Sequence, residues 1–315
     1  MKKLLALSLI LVMIFCSCAG VNKDDKKTDG TDNGGITNEK EPKIEYWIGG
    51  SDELLKDKLP ENVSMATAGT PFPYFPYNDS NFEMPLQESN YYENANAPRT
   101  KELRINSKRC LLEYQHSYDR RWDGSNITED VYSGGPRAVF HSESGKLTEL
   151  LHGSVKTKGD LEQLNKDVAV GMCDDAVRII YGESIFEKDG FKLTSADFYD
   201  YDYENPYYVI VFTRKINGYM TAEKIMIRIN TSGWIDTIFA FGIGMFDRIT
   251  ELPSEEEMDK AYTLLLSCIS DEYLKTLEPP YVTVSNTGAV YLSVESSVER
   301  DDGTSLRASI NIEKY

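Results

Sequence analysis

"PYYVIVFTRKINGYMTAEKIMIRIN", residues 206–230, decides the fold. Ile225, Ile227 and Ile229 alternate with Met226 and Arg228, the two-residue period of a strand with one buried face. The preceding run is rich in β-branched and aromatic residues, as strands are. Between them stands Asn217-Gly218, a pair suited to a tight hairpin turn. Two antiparallel strands are therefore expected here.

Upstream, Leu161, Leu164, Val168, Met172, Ala176, Ile179 and Ile180 recur at spacings of three and four and predict a helix with one apolar stripe. Gly159-Asp160 can start it and Gly182 can end it. "FKLTSADFYD" (191–200) reads as a further strand, and "NTSG" followed by "WIDTIFAFGIGMF" (234–246) as another extended piece. The order then repeats. "SEEEMDKAYTLLLSCI" (254–269) opens with Ser254 and Glu257, a capping box, and its stripe is Met258, Ala261, Leu265 and Cys268. Three alternating segments follow Pro279-Pro280. The expectation is an α+β fold: tandem units, each one helix packed on a small antiparallel sheet, over 160–250 and 251–315. Residues 102–159 read as a β-rich partial unit without a clear helix. Residues 46–101 read as irregular, because Pro71, Pro73, Pro76 and Pro85 neither donate to a ladder nor continue a helix. Phe72, Tyr74 and Phe75, set among these prolines, form either a strap over the domain or a recognition strip.

The first residues are an address. Lys2 and Lys3 precede an apolar run from Leu4 to Phe15, broken only by Ser8. Twelve helical residues span roughly 18 Å, short of the roughly 30 Å bilayer core, so the run suits a signal peptide. Phe15, Cys16 and Ser17 lead to Cys18 in a pattern that resembles the lipobox of bacterial lipoproteins. That resemblance implies cleavage after residue 17, lipidation of Cys18, and retention on the outer face of the cytoplasmic membrane through the lipid alone. Residues 19–45 hold almost no large apolar side chains and read as a disordered tether that begins at Cys18.

The formal charge is −17, and almost all of it falls within residues 46–315. Such a surface repels nucleic acid and anionic lipid, so neither is expected as a partner. Behind Cys18 remain Cys110, Cys173 and Cys268. They have no C-x-x-C spacing, and they read as buried thiols or as one disulfide with a thiol left over.

The strand, the "INGY" turn, the strand ending "IMIRIN" and then "TSGW" resemble the PepSY domain of Gram-positive envelope proteins. The resemblance covers about 160–241, with echoes at 254–315 and in "SESGKL". It implies a PepSY- or cystatin-like sheet-and-helix unit of the kind that accompanies secreted peptidases and inhibits or chaperones them. It transfers no catalytic residue; Asn217, Gly218, Ser232 and Gly233 match as turn positions.

The chemistry-bearing residues are few. His116, His141 and His152 are the only histidines, and no G-x-S-x-G, H-E-x-x-H or phosphate-loop motif accompanies them. No cofactor is expected. Asp200, Asp202 and Glu204 share one strand face; they suit either a hard cation such as calcium or a charged edge that deters pairing. Trp122, beside two arginines, suits ligand stacking or simple charge balance. The function expected is non-catalytic: a surface-tethered binding or regulatory module acting on a protein or peptide of the cell envelope. An envelope hydrolase using paired carboxylates and a solute-binding lipoprotein are the alternatives.

Overall fold

The strands read above as separate small sheets run into one. A computed structural model describes residues 46–66, 91–122, 125–153, 164–200, 206–285, 288–299 and 305–312. In chain order its elements are β1 (Tyr46–Gly50), β2 (Val63–Met65), β3 (Thr100–Ile105), β4 (Lys108–Trp122), β5 (Ser125–Ser133), β6 (Arg137–His141) and β7 (Leu147–Leu151). Then come α1 (Lys166–Tyr181), β8 (Phe191–Tyr199), β9 (Tyr207–Ile216), β10 (Tyr219–Asn230) and β11 (Ile235–Phe241). Last are α2 (Glu255–Cys268), β12 (Tyr281–Val284), β13 (Val290–Glu299) and β14 (Ser305–Asn311). The strand order is β2-β1-β14-β13-β12-β10-β11-β7-β6-β5-β4-β3, and β9 also pairs with β10 and carries β8 outside it.

The expected tandem of small helix-on-sheet units is therefore corrected. Among the described residues this is a mostly β chain with a single mixed sheet of 14 strands and two α-helices. The cause lies in β10. Its 12 residues are more than one partner needs. Met220 and Thr221 run parallel to Tyr281 and Val282, whereas Lys224–Ile229 pair antiparallel with β11. A register shift between Met220 and Lys224 separates the two stretches, a bulge that bends the strand from one neighbour to the next. On the other side, β11 does not end a unit: Phe239 pairs with Glu149 on β7, so β3–β7 extend the same sheet.

The hairpin that decided the reading forms as expected. Asn217 and Gly218 have φ of 46° and 85°, the left-handed values a two-residue turn of matching twist requires. Ile225, Ile227 and Ile229 are fully buried. At the chain's start, β1 lies antiparallel on β14, with Ile48 opposite Ile310.

Two apolar cores follow from this layout. Around α2, Met258, Ala261, Leu265 and Cys268 pack on Ile48, Val282, Leu292, Val294 and Ile310. Ser254 and Glu257 form the capping box in full. Around α1, the sheet curls. The helix touches β8, β9 and β10 on one side and β3 on the other. The tip of the β3–β4 hairpin reaches back to β11, where Asn106 Oδ1 accepts from Ile235 N–H and Asn106 Nδ2 donates to Ile235 C=O, both at 2.8 Å.

The buried stripe of α1 is also corrected. Ala176 of the expected stripe is buried and Ile180 packs against the core, but the other inward residues are Ala169, Cys173 and Val177, while Val168, Met172 and Ile179 are exposed. Val168 and Met172 each stand one residue before an inward one, about 100° around the axis. The concave sheet already presents Phe212, Ile210 and the three isoleucines of β10. Small side chains let the helix backbone sit close to that surface, so the larger apolar residues are turned away. Asn165 caps the start, its side chain accepting from Val168 N–H at 2.9 Å. Leu164 is half-buried and packs against the core.

Candidate docking surface

The outward face of α1 is the first unusual feature. Val168, Met172 and Ile179 are 47%, 37% and 58% exposed. At positions i, i+4 and i+11 they lie within a narrow sector of the helix. Gly171 adjoins them, also exposed, with nothing within 4 Å of where a Cβ would stand. A glycine inside a helix costs about 0.5–1 kcal/mol relative to alanine, and no packing among the described residues recovers it. Met172 lies over Gly233 in the β10–β11 turn; a Cβ there would stand 3.1 Å from Met172 Cε.

The second feature adjoins the first. Among the described residues β8 has a strand on one side only. Leu193 and Phe198 are each 46% exposed on it. The Phe198 ring stands 5.0 Å from that of Tyr208. Tyr208 O–H in turn donates to Leu164 C=O at 3.1 Å. Tyr208 thus links Phe198 to the residue before the N-cap of α1.

The acid–base groups are arranged differently. The densest cluster joins β9, β10, the β6–β7 turn and the 3-10 turn Met245–Arg248. Glu223, fully buried, accepts from Arg214 Nη1 at 2.9 Å and from Phe246 N–H at 3.3 Å. Asp247 accepts from Lys146 Nζ at 2.6 Å, with Arg214 Nη1 at 3.7 Å. Burial pushes the Glu223 carboxyl above its ordinary value, and the Arg214 charge opposes the shift. The partners of both carboxylates are cations or a backbone N–H, so this cluster clamps elements together. On β5, Asp130 accepts from Ser117 Oγ at 2.6 Å and Asn94 Nδ2 at 3.1 Å. Those bonds fasten residues 92–97 over β4 and β5.

The histidines lie on separate elements. His116 meets the Tyr91 ring edge-on at 4.5 Å, and burial lowers its pKa, with Arg137 adding to the effect. His152 Nδ1 is 3.2 Å from Asn106 Nδ2, and the ring tilts against Trp234 at 4.6 Å. His141 Nδ1 accepts from Ser144 N–H at 3.1 Å and lies 3.2 Å from Ser144 Oγ. This contact belongs to the β6–β7 turn, because Gly145 N–H bonds His141 C=O and His141 N–H bonds Lys146 C=O. The described thiols are free, and burial raises Cys173 to about 12 and raises Cys268 as well. A thiolate is disfavoured at both, which makes them poor nucleophiles.

Of the residues singled out from sequence, Cys18, Phe72, Tyr74, Phe75, Asp202 and Glu204 lie outside the described residues. Trp122 ends β4, its backbone paired with Ser125, and its side chain lies outside the description. Asp200 is exposed just after β8. No group of three or more metal-ligating side chains occurs among the described residues. Sequence reasoning missed the α1 face and the β8 margin. The signal for the first was present: Ala169, Cys173 and Val177 join Ala176 in a stripe as periodic as the larger residues that were preferred.

No protein-family model matches the chain, and no curated protein does. Among solved structures, the Bacillus megaterium YpeB C-terminal domain is similar at 11% identity and a TM-score of 0.32. The overlap covers 62% of this chain and 82% of that one. Neither the fold nor the function of this chain follows from an overlap of that size.

Proposed function

We propose that the chain is a tethered, non-catalytic binding or regulatory module that engages a protein or peptide of the cell envelope through the outward face of α1. One observation carries this reading: Val168, Met172 and Ile179, with Asp175 among them, stand exposed in one sector of a helix whose buried sector lies about 100° away. Scattered exposed apolar residues are ordinary, but aligned ones that adjoin further apolar residues mark interaction sites. The lipobox-like run before Cys18 supports attachment on the outer face of the cytoplasmic membrane. No helix among the described residues is long and apolar enough to cross a membrane. The resemblance to PepSY domains, which accompany secreted peptidases, makes a peptidase the first partner to try.

The solute-binding alternative calls for two lobes of parallel strands, whereas antiparallel pairs dominate one continuous sheet here. The hydrolase alternative calls for a carboxylate pair open to substrate, whereas Glu223 is fully buried and held by Arg214.

The test is retention of envelope proteins on the immobilised chain, compared with Met172→Asp. The expected result is a protein retained by the parent chain and lost with the variant, while the two unfold at the same denaturant concentration. Retention unchanged by Met172→Asp contradicts the reading.

A further inference from the structure

The sheet has three margins among the described residues, and they are not equivalent. β2 has 3 residues, β3 has 6 and β8 has 9. Unpaired margins invite other chains, and proteins guard them with short length or charge. β2 is short. β3 is charged, with Glu102 paired to Arg109 and lying 3.7 Å from Arg104. β8 is the longest, and beside the exposed charges of Lys192 and Asp197 it exposes Leu193 and Phe198. Its one irregularity, a register shift between Leu193 and Ser195, is fastened inward, Thr194 Oγ1 donating to Val211 C=O at 3.2 Å.

The charges along this margin are unequal too. Lys192 Nζ turns to Phe186 C=O at 3.5 Å. Asp197 and Asp200 are exposed and have no ion-pair partner among the described residues. The whole chain carries −17. A row of N–H and C=O groups with no strand beside it among the described residues calls for an extended backbone, two exposed apolar side chains call for apolar partners, and two aspartates with no ion pair among those residues call for cations.

Resting on the docking reading above, the geometry points to strand addition: β8 takes an extended, cationic segment of a partner protein as a further strand. Its apolar side chains pack on Leu193 and Phe198 on one face, and its Lys or Arg meet Asp197 on the other. A full-length addition spans about 30 Å. A second copy of this chain fits less well, since each copy carries the same excess of negative charge and the two repel.

The probe is a fluorescein-labelled peptide of alternating lysine and valine, matched to the 9 residues of β8, titrated with the full chain at low salt. Binding by anisotropy is expected, weakened by added salt and weakened about tenfold by Phe198→Asp. The same peptide, N-methylated on alternate residues so that it cannot donate to the margin, should not bind; this arm uses the unaltered chain and needs no variant to fold. Three results overturn the proposal: equal binding of the N-methylated peptide, equal binding of a glutamate–valine peptide, or no binding of the lysine–valine peptide. A dimer of the chain in sedimentation that Phe198→Asp dissociates also overturns it, by giving the margin to a second copy. If strand addition fails while Met172→Asp still abolishes retention of the envelope protein, the docking reading stands and only the mode of capture falls.

Discussion

α1 and α2 have similar lengths and the same period, yet they use their faces in opposite ways. α2 turns Met258, Ala261 and Leu265 inward and shows Glu255, Glu256, Asp259 and Lys260 to solvent. α1 turns alanines, a cysteine and a valine inward and shows Val168, Met172 and Ile179. The sheet explains the difference. Against α2 the sheet presents Ile48, Val282, Leu292 and Ile310, and the helix meets them with Met258 and Leu265. Against α1 it presents Phe212, Ile210 and the isoleucines of β10, and the helix meets them with small side chains. A helix whose large apolar residues are not needed at home is free to offer them elsewhere.

The joint between the two regions carries the largest expected effect. Arg214→Ala should destabilise the chain by about 3–5 kcal/mol, because Glu223 is left buried without its cation; urea titration checks this. A loss below about 1 kcal/mol, as for exposed pairs, would show that the joint does not hold the regions together.

Next comes the contrast of the helices themselves. Leu265→Ala on α2 should cost about 2–5 kcal/mol, whereas Ile179→Ala on α1 should stay within about 0.5 kcal/mol. Similar costs at both would erase the distinction. Ala169→Leu probes the tight interface under α1. Overpacking should cost about 1–3 kcal/mol, seen as a lower denaturation midpoint with unchanged slope. A stabilised protein would mean that α1 has spare room beneath it. Gly171→Ala has the smallest effect and the opposite sign: a gain of about 0.5–1 kcal/mol, since nothing stands where the new Cβ would go. Destabilisation there would point to a contact within the chain at that face.

The phase of α2 was legible in the sequence because its polar residues mark the solvent side: Ser254 and Glu257 fix the start, and the acids fix the outer face. On α1 Asp167, Asp174 and Arg178 mark a polar side, but the apolar arc beside it is wide, and size was a false guide to which part of that arc is buried. The hairpin at Asn217-Gly218 and the alternation of Ile225, Ile227 and Ile229 were local signals and read true. The fusion into one sheet was not local. It depends on Met220 meeting Tyr281, and on Phe239 meeting Glu149 across 90 positions of sequence. It depends equally on β1, whose 5 residues join the rest of the sheet through β14, far along the chain. The docking surface was hidden for the same reason, since an exposed helix face is recognised only once the buried one is known.

The central claim is that the outward face of α1, and not that of α2, is where another molecule docks. The most direct measurement places a photo-crosslinking amino acid at position 172 on α1 and, separately, at position 259 on α2, in cells that produce the chain. The account predicts a discrete adduct from position 172 that disappears when Val168 and Ile179 are changed to aspartate, and none from position 259. Adducts of the same pattern from both positions, or from 259 alone, would contradict it.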